Sequence, residues 1–166
     1  MKILLTLFVL LFSSSVFAED IKGAFGQILG EVYKGELKII GQLTSGEDVL
    51  NDIYGFNPEN PSPTFSNYGL ILTPKSKRIV EIRVWNKFDS SSKCESELEV
   101  IEVLLDKKYK NLKTDWIGFT IYTSNNKKIN IRCTLFNNNL TLTYTDSEME
   151  DLYNLEKSEE QSGKGF

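Results

Sequence analysis

The sequence predicts an α+β domain: an antiparallel sheet made of a hairpin and then a three-stranded meander, packed by one main helix, with a C-terminal helix. Three observations predict it. Residues 92–112 carry an apolar stripe, Cys94, Leu98, Ile101, Leu105, Tyr109 and Leu112, spaced by three and four, the period of one helix face. On either side lie segments that alternate at period two, the spacing of a half-buried strand. The linkers within each group of strands are short and built of turn residues, which pairs consecutive strands antiparallel and keeps the helices apart from them.

Ahead of the domain stands an export signal. Lys2 gives a basic start, residues 3–12 are uniformly apolar or small, three serines follow, and Val16-Phe17-Ala18 sets up a cut after Ala18. The apolar run is about half of the roughly 20 residues a membrane span needs, so no stable membrane insertion is expected after signal removal. The expected location is periplasmic or secreted. Removing residues 1–18 leaves 148 of 166 residues and takes away one lysine, so 18 basic side chains face 23 acidic ones, a net charge of −5.

Within the mature chain, residues 19–157 read as one domain. Residues 19–35 are punctuated by Gly23, Gly26, Gly30 and Gly35, and residues 37–40 suit a short strand. Residues 48–54 suit a short helical turn capped by Ser45. Pro58, Pro61 and Pro63 force residues 54–64 into loop or extended chain. Residues 65–73 and 78–88 form the hairpin around Pro74-Lys75-Ser76-Lys77. Val80, Ile82, Val84 and Phe88 should share one face of its second strand, and Glu81, Arg83, Trp85 and Lys87 the other.

The main helix follows, opened by a capping box from Ser92 to Glu95. Glu95, Glu97, Glu99 and Glu102 crowd its first half and Lys107, Lys108 and Lys110 its end, as the helix dipole favours. Residues 117–123, 129–135 and 140–145 are the meander, with turns at 124–127 and 137–139 where asparagine accepts the left-handed conformation. A helix over 147–157 and a disordered tail over 158–166 complete the chain.

Two cysteines in an exported chain point to a disulfide. Cys94 lies on the helix stripe and Cys133 on the apolar face of the alternating run Ile129, Ile131, Cys133 and Leu135, so both thiols turn toward the core. Two buried free thiols and a reactive thiol are the competing readings. The last lacks a histidine to act as base or fellow ligand, because the chain contains none.

The acidic balance argues against nucleic acid as a partner, and the residues call for no metal and no cofactor. The Gly23-Ala24-Phe25-Gly26 run lacks the features of a phosphate loop. Asp146, Glu148, Glu150 and Asp151 suit a solvated helix start. No catalytic residue is marked. The binding candidates are Tyr54, Phe56 and Phe65 on the proline-stiffened loop, and Arg83 with Trp85 on the polar strand face, where the ordinary alternative is a Trp85 covered by the N-terminal segment.

Phe25-Gly26-Gln27-Ile28-Leu29-Gly30, a proline-rich stretch ending Phe65-Ser66-Asn67-Tyr68, Cys94 opening a helix that ends Lys108-Tyr109, and Cys133 in a strand together resemble uncharacterised small exported bacterial proteins. That resemblance implies export and a disulfide, and no activity. The expected function is a non-catalytic domain binding a protein or cell-envelope partner. The alternatives are a carboxylate-dependent hydrolase of the envelope and a small-ligand carrier.

Overall fold

The computed structural model describes residues 20–46, 48–109, 112–116, 119–134 and 136–163. The expected export signal over residues 1–18 and the last three residues of the chain lie outside them. A small hairpin, β1 (Gly23–Ala24) and β2 (Gln27–Ile28), precedes a large antiparallel sheet. The sheet contains β3 (Ile39–Ser45), β4 (Asp48–Gly55), β5 (Asn67–Leu72), β6 (Ile79–Lys87), β7 (Lys113–Trp116), β8 (Phe119–Ser124), β9 (Lys127–Thr134) and β10 (Asn139–Asp146). Helix α1 (Ser91–Tyr109) joins the two meanders, and α2 (Ser147–Gly163) closes the chain. The α+β class is as the sequence predicts.

The spatial order is β3-β4-β5-β6-β10-β9-β8-β7. After β6 the chain crosses through α1 to the far edge, and the second meander returns to lay β10 against β6. Four strands and a helix therefore occur twice in chain order, a repeat the residues do not reveal. The equivalent strands β6 and β10 bury the same face, under α1, while α2 packs on the other.

Residues directly opposed in an antiparallel ladder share a face. Ile129, Ile131 and Cys133 on β9 oppose Tyr144, Leu142 and Leu140 on β10, and Leu142 and Tyr144 oppose Val84 and Ile82 on β6. This face, with Leu70 and Tyr68 of β5, is the core that α1 covers through Cys94, Ile101, Leu105 and Tyr109. Cys94 and Cys133 are joined in a disulfide with Cα atoms 6.0 Å apart, stapling the first turn of α1 to β9.

Several of the acids on α1 do more than answer its dipole. Glu97 accepts from the Thr64 hydroxyl at 3.0 Å, Glu102 from the Thr120 hydroxyl, and Asp106 from the Tyr122 phenol at 2.7 Å. The helix is capped two residues earlier than the sequence predicts: the Ser90 hydroxyl, not that of Ser92, accepts from the Lys93 amide. Burial pushes the Tyr144 phenol far above its ordinary range, with Tyr109 adding to the effect, so it is neutral inside the core.

Residues 48–54 correct the expected helical turn. They form β4, paired with β3 around a tight turn in which Gly46 takes a φ of 63°. β7 adds a fourth strand to the expected meander. In β6 a register shift falls opposite Ile71 and Leu72, where Leu72 faces Ile79 and Ile71 faces Glu81. The extra residue, Val80, turns to the α2 side beside Glu81, and Ile79 takes its expected place in the core.

The expected tail is also corrected: α2 continues to Gly163. Its added turns hold through the ion pair of Glu159 with Lys75 at 2.6 Å and the hydroxyls of Ser158 and Ser162, which donate to the carbonyls of Leu155 and Glu159. At its start Asp146 is buried rather than solvated. It caps the Glu148 amide and accepts from Asn126 at 2.9 Å, pinning α2 to the turn between β8 and β9.

Candidate functional site

The proline-stiffened loop does not display its aromatics. Phe56 and Phe65 are buried: Tyr68 meets Phe56 and Phe25 edge to face, and Phe25 in turn meets Phe65, with ring centroids 5.4 to 6.4 Å apart. The Tyr68 hydroxyl accepts from the Ser62 amide at 2.8 Å and donates to the Phe65 carbonyl at 3.1 Å, holding the loop from beneath. The N-terminal hairpin closes this end of the core, with Ile21 and Leu29 buried, the Gly30 amide donating to the Ile79 carbonyl at 2.8 Å and the Ile79 amide to the Glu31 carbonyl at 2.9 Å. Of the three loop candidates only Tyr54 is half-exposed. Its phenol is raised by burial first and then by Asp52 and Glu160.

Arg83 and Trp85 lie on the face that α2 partly covers. Arg83 donates through Nε to Glu81 at 2.6 Å, a charge pair within the sheet face rather than a guanidinium offered outward. Trp85 lies over Gly69 beside Ile53, in space that only the missing side chain leaves open. A methyl at Gly69 would overlap the Ile53 side chain and meet the Trp85 ring at 3.2 Å. Gly69→Ala is therefore expected to lose about 1–2 kcal/mol of stability, as overpacked positions do, with a change in tryptophan fluorescence of the folded protein. A thermal midpoint equal to the parent's would show that Trp85 has room to move.

A cleft of about 520 Å³ lies between α2 and the β3–β4 hairpin, with the sheet as its floor. Leu43, Leu50, Ile71 and Val80 supply apolar wall, and Glu81, Glu150, Asp151 and Lys157 supply charge. The Tyr153 hydroxyl and the Lys157 ammonium both donate to the Leu50 carbonyl, at 3.2 and 2.7 Å, tying the helix to the hairpin across one end. A second groove of about 460 Å³ runs past Tyr33 and Lys38 over Phe56 and Asn57. Among the described residues no three His, Cys, Asp or Glu side chains are grouped to hold a metal ion.

Two groups of exposed apolar side chains stand out among the described residues. Leu37, Ile39, Ile40, Val49 and Leu50 are 43–52% exposed on and beside the β3–β4 hairpin. Val100, Val103 and Leu104, 53–55% exposed, form a ridge on the outer side of α1, one helical turn long. Sequence reasoning missed both surfaces. The ridge sits off the buried stripe and was obscured by the acids and lysines around it. The hairpin was hidden by the helical reading of residues 48–54, although Ser45-Gly46 between two apolar stretches is a turn signal.

No family model matches the chain, and neither the curated proteins nor the solved structures contain a significant match. The described residues form a disulfide-linked α+β fold with one helix on each face of an eight-stranded antiparallel sheet.

Proposed function

We propose that the mature chain is an exported, non-catalytic bacterial domain that binds a protein or cell-envelope partner in the periplasm or outside the cell. The observation that carries this reading is the apolar ridge Val100, Val103 and Leu104, displayed on a helix that the disulfide and the Thr64, Thr120 and Tyr122 hydroxyls hold rigidly to the sheet. A ridge of this kind, already fixed in place, loses little freedom on docking. The signal pattern of residues 1–18 and the disulfide support export, and among the described residues no helix is long and apolar enough to cross a membrane.

Immobilised mature protein incubated with cell-envelope extract is expected to retain a specific partner. Val103→Lys combined with Leu104→Lys should weaken retention by about tenfold or more, equivalent to about 1.4 kcal/mol, without altering the fold. Folded parent protein that retains nothing, or a double variant that retains as much as the parent, would count against the reading.

A further inference from the structure

The two edges of the large sheet are built differently. β7 is four residues long and includes Lys113 and Asp115, the short, charged form by which proteins discourage strand pairing. β3 is seven residues long, Ile-Ile-Gly-Gln-Leu-Thr-Ser, with no charged side chain. Its outer backbone groups face away from β4, and Ile39 and Ile40 are about half exposed beside Leu37, Val49 and Leu50. The irregularities of the hairpin fall at Ile40 and, on the partner strand, at Leu50, so Gly41 to Ser45 is unbroken along the open edge.

We infer that β3 is the interface of a homodimer, pairing antiparallel with β3 of a second copy across a two-fold axis. Charge selects this occupant. The mature chain carries a net charge of −5, so two copies repel wherever acidic surfaces meet. At β3 they bring no like charges together, and the nearby Asp52 carboxylate already accepts from Gln42 Nε2 at 2.8 Å. A basic partner drawn to an acidic protein would gain no ion pair from this uncharged strand. With Gln42 on the axis, Gly41 opposes Leu43, Ile40 opposes Thr44 and Ile39 opposes Ser45 of the other copy, a register the sequence tolerates in both directions. The ladder across the axis is regular from Gly41 to Leu43 and passes the Ile40 irregularity toward either end, and with its apolar fringe it lies at the small end of specific interfaces, so a weak dimer, in about the micromolar range, is expected. The inference goes beyond the partner-binding reading and uses a different surface from the α1 ridge.

Analytical ultracentrifugation of the mature protein is expected to show a reversible monomer–dimer equilibrium across the micromolar range. Gln42 is exposed but bonds Asp52 within the hairpin, so far-UV circular dichroism of each variant checks the fold before association is measured. Gln42→Lys sets two ammonium groups opposite one another, and Gln42→Glu sets two carboxylates; each should weaken the dimer by about tenfold or more. An equimolar mixture of the two variants should dimerise at least as well as the parent, a rescue that misfolding could not produce. Three results would overturn the inference: a parent that stays monomeric, homodimers indifferent to both substitutions, or single variants that weaken dimerisation without rescue in the mixture. Loss of dimer in the Val103→Lys, Leu104→Lys variant would also overturn it by placing the contact on α1. Failure of envelope capture with an intact dimer would sink only the partner-binding reading.

Discussion

Replacing Cys94 and Cys133 together with alanine is expected to cost the folded state about 4 kcal/mol. The bridge spans 39 residues, and closing a loop of that length removes roughly this much chain entropy from the unfolded ensemble. Alanine is the conservative choice because the Cys94 side chain is fully buried; the change removes the bond and opens only a small void. For a domain of this size the thermal midpoint should fall by about 12–16 °C. Urea unfolding of parent and variant, each with intact far-UV circular dichroism in native buffer, measures the difference. Reducing the parent should reproduce it. A loss under about 1 kcal/mol would show that Ile101, Leu105, Tyr109 and the helix's carboxylate–hydroxyl bonds hold α1 without help, the entropic contribution being offset by the native state.

The bridge was legible because each half of the argument is local. Helical spacing places Cys94 in line with Ile101 and Leu105, and alternation places Cys133 with Ile129 and Ile131; the structure joins those two faces. Local patterns served less well where a residue answers to a distant partner. The acids of α1 are intelligible as answers to its dipole, and nothing within the helix announces that Glu97, Glu102 and Asp106 meet hydroxyls on other elements. Val49, Leu50, Ile53 and Tyr54 fit a helical period and a strand equally over so short a run. Gly46 and the pairing with β3 decide for strand. β7 escaped notice because four residues with two charges carry no alternation to read. The binding candidates divide similarly: aromatic residues on a proline-rich loop look presented in sequence, but Tyr68, buried beneath, draws Phe56 and Phe65 inward. The exposed surfaces that support a binding role are set by what the rest of the chain leaves uncovered, and that is a property of the assembled sheet.

Glu156→Gln is expected to destabilise the protein by about 2–3 kcal/mol and to loosen α2 from the sheet. Glu156 is the only buried residue among the described residues of α2, 7% exposed. One carboxylate oxygen accepts from the amides of Lys75 and Ser76, at 2.6 and 3.0 Å, and the other accepts from the Ser76 hydroxyl at 2.6 Å. The carboxylate thus ties the turn between β5 and β6 to the helix. An amide in its place keeps one oxygen acceptor but presents an NH₂ group where the other oxygen accepted, weakening charge-assisted bonds that are individually among the stronger ones in proteins. The same geometry fixes the pH dependence. Burial works against the charged form, but the bonds from the Ser76 hydroxyl and the two amides outweigh it and hold the folded carboxyl below its ordinary range. A carboxyl that releases its proton more readily when folded contributes its full stabilisation above its unfolded pKa, about 4.3, and loses it as pH falls through the lower folded value. Glu97 has the same sign, held down first by Lys93 and then by the Thr64 hydroxyl. Urea unfolding of parent and Glu156→Gln should therefore show their stability difference constant near neutrality and shrinking below about pH 4, where the parent's own carboxylate is protonated. A difference that stays constant into acid would mean that the position matters for packing, not for charge. Because α2 also forms one wall of the cleft and reaches the β3–β4 hairpin through Tyr153 and Lys157, faster hydrogen exchange in Glu156→Gln should extend to the hairpin amides as well as to the helix.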